Sequence, residues 1–420
     1  MSCFMLVLQL TLVLASSSQS HQKQQTCIIP NPFLPLQPDS CIPTQTIPLE
    51  RPRSTYRTVS PVKKWKSTGL CRGVRADKFC VFTHASFNNG EGVSVITTGN
   101  SISTIATRPA FKDENGGAVP SSTVPYQEVE IEGKGIGLVA TRMIRAGELI
   151  MALTPGIMVN ENAIQKLGRK TVSELLIGAV DELPSQHKES LLNLSTHSAA
   201  SDYGDKIYRI LQTNSFRTGY HDGDNPFYSL FTEVSRLNHD CRPNCAYYFD
   251  HLDFHQKVIA VRDIMAGEEL TIAYYDPIQI QSVRQEKLHK EWGFRCACKR
   301  CTADASSIAE SDSRVEQIIV LRKELDDHSA TSKASPEKAE LLVSLYEEEG
   351  ILTRVNEAYY RAAIEYIGVG DIENAEKYAR LCIDHGRKFI GSDRPLVEDM
   401  QELIANPTGY SKWKFRLKSG

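Results

Sequence analysis

Three thiols fall within the stretch WGFRCACKRC, Trp292 to Cys301, at Cys296, Cys298 and Cys301. A thiolate binds zinc at about 2.3 Å, and C-x-C-x-x-C loops are short enough to bring three sulfurs to one ion. Three corners of a tetrahedron need a fourth, and nothing adjacent offers one. The best remote source is Cys241 in RLNHDCRPNC, Arg236 to Cys245, with Cys245 second. Four thiolates would leave no open coordination position, so such a zinc would be structural and would not activate water. The alternative is a disulfide with one thiol left over. The same ten residues carry an amide and an imidazole at Asn238 and His239, groups that can hold a ligand or close a turn. Upstream, Gly135 and Gly137 in EGKGIGL lack side chains, so backbone amides there can approach a ligand closely. A plain strand turn explains those glycines equally well.

These residues need elements to position them. From Tyr126, the stretch YQEVEIEGKGIGLVATRMIRAGELIMALTPGIMV alternates apolar runs with glycine turns and reads as several short strands. Strands return in KVIAVRDIMAGEELTIAYYD, with a turn at Ala266-Gly267. Between them, residues 161–215 read as helices from the apolar stripes of TVSELLIGAVDEL and HKESLLNLST. After Cys301 the chain reads as almost wholly helical. There RAAIEYIGVGDIENAEKYARLCIDHG places Ala363, Tyr366, Gly370, Asp371, Ala375 and Tyr378 as in a tetratricopeptide-like helix hairpin, in one clear copy. The basic tail KWKFRLKSG reads as a solvated terminus.

The N-terminal part differs in kind. MSCFMLVLQLTLVLASSSQS has an apolar core from Phe4 to Ala15 followed by small residues, which fits a secretory signal peptide, although no Lys or Arg precedes it. It is too short to span a bilayer, and no transmembrane helix is expected later. Residues 21 to about 65 are rich in Pro, Gln, Ser and Thr and suit an irregular segment. KFCVFTHASFNNGEGVSVITTG then gives a hairpin signal around Asn89-Gly90. Among the eleven cysteines, Cys27 with Cys41 and Cys71 with Cys80 are the sequence-local disulfide pairs, against four reduced thiols. The 48 Lys and Arg nearly balance the 51 Asp and Glu, so a direct nucleic-acid partner is not expected. At 420 residues the chain has length for two or three domains.

The ordered set EGKGIGL (132–138), RLNHDCRPNC (236–245), GEELTIAYYD (267–276) and WGFRCACKRC (292–301) resembles the SET-domain protein lysine methyltransferases that carry a post-SET cysteine motif. The nearest branches are the SMYD-type and fungal Set5-like ones. No MYND zinc finger interrupts the domain, because residues 139–235 contain no cysteine. The resemblance implies an α+β chain: a β-rich SET fold over 124–276 with a helical insertion at about 161–220, a zinc-bound post-SET region over 277–301 and an all-helical domain over 302–420. Residues 1–20 would be the signal-like segment, and 21–123 an N-terminal extension with a β-hairpin.

Site roles follow from the same resemblance. Lys134, Gly135 and Gly137 match the loop that lies along S-adenosylmethionine. Asn238 matches the amide that grips its methionine end, and His239 the segment that meets the adenine. Tyr274 matches the tyrosine whose hydroxyl sits near the sulfonium methyl and the substrate amine, and is the expected catalytic residue. Phe294 and Trp292 would close the site, stacking on the adenine and walling the lysine channel. Cys241, Cys296, Cys298 and Cys301 would hold a structural Zn2+. Asp240 departs from the family's usual Ser. The implied activity is S-adenosylmethionine-dependent methylation of a protein lysine; an inactive SET-fold scaffold, or a methyltransferase for a small or secreted molecule, are the alternatives. The family implies the nucleus or cytoplasm, whereas the N-terminus implies the secretory route.

Overall fold

A computed structural model describes residues 64–111, 124–219, 226–329, 331–391 and 394–417, with the paired segments Gln25–Thr26 and Ile42–Pro43. The signal-like segment 1–20 and the pair Cys27–Cys41 lie outside the described residues. Among the described residues, no helix is long and apolar enough to cross a membrane.

The architecture is mixed α+β. Tyr126–Ile131 turns back through Gly133 and Gly135, both at positive φ, and pairs antiparallel with Gly135–Ala140. This hairpin joins a four-stranded sheet in the order Asn238–His239, Glu269–Ile272, Gly135–Ala140, Tyr126–Ile131. Asn238–His239 runs parallel to Glu269–Ile272, with His239 opposite Ile272, so two segments about thirty residues apart are locked side by side. A three-stranded sheet of Cys245–Asp250, His255–Ala260 and Leu149–Leu153 packs into the same core. The predicted turn at Ala266-Gly267 is present, with Gly267 at φ 85°.

A six-stranded sheet runs Phe216–Thr218, Phe227–Leu230, Ile157–Asn160, Val93–Thr97, Phe79–His84, Lys66–Arg72. Its last three strands come from the stretch expected to be a separate extension. Val93–Thr97 pairs parallel with Ile157–Asn160 and is buried along its whole length. Such a strand needs cover on both faces. Val93 and Val95 pack with Phe87, Phe111 and Phe254. Ile96 turns the other way, onto Val172, Leu175, Leu176 and Ala179. Residues 66–97 therefore add three strands to the sheet that holds Ile157–Asn160. Phe79–His84 and Val93–Thr97 do form the expected hairpin, joined by a longer connection in which Asn88, Asn89, Gly90 and Gly92 adopt positive φ. Cys71 and Cys80 face each other across neighbouring strands and form a disulfide.

The insertion between Asn160 and Phe216 consists of the helices Glu161–Lys166, Arg169–Asp181, Ser185–Leu192 and Tyr203–Asn214. After the strands, Gln281–Trp292 ends at Gly293 in the left-handed conformation, and this sharp exit delivers Phe294 and the three clustered thiols. Five helices follow: Ala305–Leu325, Pro336–Glu348, Asn356–Val369, Ile372–Phe389 and Pro395–Ala405. Asp304, Ser335 and Asp371 cap three of them through side-chain oxygens. Gly370 at φ 87° reverses the chain between the third and fourth, where Tyr366 and Tyr378 stack 5.7 Å apart and both donate to Glu340. Within the basic tail, the described residues 412–417 are docked and not merely solvated. Lys414 and Arg416 donate backbone N–H groups to Ile367 and Gly368, satisfying carbonyls at a helix end, and Arg416 forks onto the fully buried Glu365.

Candidate active site and thiol cluster

Cys241, Cys296, Cys298 and Cys301 are all buried, and their sulfurs lie within 4.8 Å of one another. Cys241 Sγ is 3.9 Å from Cys296 Sγ and 3.6 Å from Cys301 Sγ. Four sulfurs set tetrahedrally about 2.3 Å from zinc would be about 3.8 Å apart. The donor set and its spacing therefore fit a structural zinc. Gln285, on the helix Gln281–Trp292, clamps the loop: its amide donates to the Cys296 carbonyl (2.8 Å) and accepts from the Cys296 N–H (2.9 Å). Cys241 lies in the cluster and Cys245 does not. Cys245 begins the strand Cys245–Asp250, donates to Asn244 Oδ1 and is pushed up to about 12 by burial.

Beside the cluster opens a cleft of about 170 Å³. Lys134, Asn238, Tyr274, Trp292 and Phe294 line it, with Ser195 to His197 and Gln212 to Phe216 of the insertion opposite. Tyr274 donates its hydroxyl to the Leu237 carbonyl at 3.0 Å and sits 5.4 Å, ring to ring, from Trp292. Phe294 stands perpendicular to it at 6.4 Å. Burial, with the charge of Glu269 adding to it, pushes the Tyr274 phenol well above its ordinary value, so it stays protonated. Tyr275, by contrast, packs inside the thiol cluster.

Two polar groups at the cleft are coupled through one carboxylate. Asn238 Nδ2 donates to Glu269 Oε1 at 3.0 Å, and Lys134 Nζ donates to Glu269 Oε2 at 2.5 Å. With Nδ2 committed, the Asn238 amide offers its oxygen as an acceptor. The two glycines differ in what they require. A Cβ on Gly137 would lie 2.7 Å from Asn238 Nδ2 and 2.4 Å from Ile131 Cδ1, so only glycine leaves room for that amide. A Cβ on Gly135 would meet nothing within 4 Å, and its glycine serves the positive φ of 76°.

The structure brings Lys134, Asn238, Tyr274, Trp292 and Phe294 together and leaves Gly135, Gly137 and the His239 imidazole outside the cleft's lining. That ring does not line the cleft. It lies between Tyr274 and Cys241, accepting the Tyr274 N–H at Nδ1 (3.1 Å) with Nε2 3.4 Å from Cys241 Sγ. Burial pulls His239 down to about 3, so it is neutral. Acceptance at Nδ1 assigns the ring proton to Nε2, aimed at the Cys241 sulfur. Asp240 also faces away: its carboxylate accepts the Arg242 N–H at 2.8 Å, a turn that a serine hydroxyl closes in the same way. Sequence reading missed Glu269, which stood inside a quoted motif with no role, the Leu237 carbonyl, and the wall from the insertion. The insertion carries no motif, and Lys134 and Glu269 are 135 residues apart, so no local signal joined them.

Residues 135–275 match the SET domain family. The histone-lysine N-methyltransferase set5 of Schizosaccharomyces pombe is 25% identical over 296 residues, covering 70% of this chain and 87% of that protein. Human histone-lysine N-methyltransferase SMYD3 is 43% identical over 72 residues, 17% of this chain and 16% of that protein. Mouse histone-lysine N-methyltransferase Smyd1 is 24% identical over 233 residues, 50% of this chain and 45% of that one. The chain thus spans less than half the length of the two SMYD relatives.

Proposed function

From a SET domain homologous to those of SMYD and fungal Set5 proteins, we infer that this chain is an S-adenosylmethionine-dependent methyltransferase whose acceptor is a protein lysine. The supporting observation is that Lys134, Asn238, Tyr274 and the pair Trp292 and Phe294, carried on four separate segments, converge on one cleft beside a four-thiol cluster.

S-adenosylmethionine supplies a methyl carbon made electrophilic by its sulfonium. The chain's task is to present a neutral amine in line with that carbon, so positioning carries most of the rate enhancement. A lysine amine with a pKa near 10.4 is charged at neutral pH. Trp292 and Phe294 give it apolar walls, which disfavour the ammonium form. Tyr274 has its proton committed to Leu237, leaving oxygen lone pairs to accept from the amine N–H and orient the nitrogen lone pair. Asn238, oriented by Glu269, offers an acceptor to the cofactor's ammonium group, and Lys134 offers a cation to its carboxylate. Phe294 offers an aromatic face to the adenine. His239 holds the backbone of Tyr274 and the sulfur of Cys241 together. Cys241, Cys296, Cys298 and Cys301 would hold zinc, which would crosslink the loop bearing Asn238 to the segment bearing Phe294.

The reading is tested by incubating the full-length protein with methyl-labelled S-adenosylmethionine and a protein mixture, then hydrolysing the product. Label recovered as N-methyllysine is expected. Label recovered only in small molecules would overturn the lysine assignment.

A further inference from the structure

Glu349 follows the helix Pro336–Glu348, in the helical domain, yet two of its partners, Arg242 and Arg300, are chain neighbours of the clustered cysteines. Its side chain is 0% exposed. Oε2 accepts from Arg242 Nη2 at 2.8 Å and from Ser311 Oγ at 2.7 Å, and Oε1 accepts from Arg314 Nε at 2.7 Å. The Glu349 carbonyl takes Arg242 Nε at 2.6 Å. Arg242 is next to Cys241 and donates Nη1 to the Cys241 carbonyl at 2.7 Å and to the Pro277 carbonyl at 3.2 Å. Arg300, between Cys298 and Cys301, reaches the same carboxylate at 3.9 Å and the Glu348 carbonyl at 3.3 Å. One buried anion outside the SET domain thus draws in the arginines next to Cys241 and Cys301, residues 60 positions apart.

We propose that Glu349 is a positioning residue for the metal site: it holds the two chain segments that bear the four thiols at ligand spacing, making the helical domain part of the zinc centre's outer support. The inference rests on the reading of Cys241, Cys296, Cys298 and Cys301 as zinc ligands. A carboxylate buried without exposure keeps its cationic partners in place because separation would strand the charge. Hydrogen-bonded groups behind metal ligands commonly change metal affinity 10- to 100-fold when removed.

The test measures zinc content of the full-length protein and the rate at which a chromophoric chelator removes the metal. One zinc per chain is expected, and Glu349→Gln should lose it about tenfold faster. Arg300→Ala, at a partly exposed position, should give a smaller acceleration that Arg300→Lys reverses; it carries the test alone if Glu349→Gln does not fold. Glu365→Gln breaks another fully buried ion pair of the helical domain, with Arg416, and should leave release unchanged. Wild-type release from a folded Glu349→Gln chain, or equal acceleration by Glu365→Gln, would overturn the positioning role while leaving the metal reading intact. No zinc in the wild-type protein would overturn the metal reading and the inference with it.

Discussion

Tyr274 stands where two constraints meet. Its hydroxyl is fixed by Leu237 and its backbone N–H by His239, so the ring has little freedom to leave the cleft. Tyr274→Phe removes the hydroxyl without changing the ring, and should lower kcat about 100-fold while the Kd for S-adenosylmethionine stays within about twofold; equal loss of both would give the residue a structural role. Steady-state kinetics and calorimetry on the same preparations separate the outcomes. The pH dependence has a definite sign. The acceptor amine loses its proton as pH rises, so kcat/KM should climb through pH 9. Tyr274, raised well above its ordinary value, should give no falling limb over that range. At this scale the thiol spacing was legible because C-x-C-x-x-C is local. Asn238 and Tyr274 were legible only because four motifs occurred in order. The partner of the His239 ring, the Tyr274 N–H, is 35 residues away and was not legible, and Glu269 was missed for the same reason.

The hairpin of Tyr126–Ile131 and Gly135–Ala140 shows how one element serves both fold and site. Gly137 lies at the contact with Asn238, whereas Gly135 lies at the turn. Gly137→Ala should displace the Asn238 amide and weaken S-adenosylmethionine binding about tenfold, close to 1.4 kcal/mol. Gly135→Ala should instead cost about 1 to 2 kcal/mol of folding stability from the left-handed backbone, with affinity nearly unchanged. Calorimetry and thermal melts of both variants check the contrast; affinity lost equally in both would contradict it. Strands were legible from apolar runs broken by glycine turns, as in Gly135–Ala140, and helices from apolar stripes, as in Arg169–Asp181. What periodicity does not carry is partnership. Val93–Thr97 is buried on both faces, but only the fold reveals that its neighbour is Ile157–Asn160, across more than fifty residues.

The described residues pack as SET strands and a helical domain that share buried charge. Arg242 with Glu349 and Arg354 with Asp276 cross the joint between the SET strands and the helices, at 2.8 Å in each case. Removing one partner of such a pair costs about 3 to 5 kcal/mol, because the other charge stays buried, so this joint is a firm one. The docked tail extends the same logic, since Arg416 neutralises Glu365 inside the helical domain. Composition located the helical domain, but the basic tail read as solvent-facing because its partner carboxylate lies 51 residues earlier. Residues of the insertion line the cleft together with Tyr274, and the thiol cluster packs against Tyr274 and Phe294. Titration of the folded, zinc-loaded full-length protein with S-adenosylmethionine in a calorimeter addresses that construction as a whole. We predict saturable heat at one equivalent per chain. A folded, zinc-loaded chain that releases no heat would contradict the assignment of the cleft and leave the domain as a scaffold.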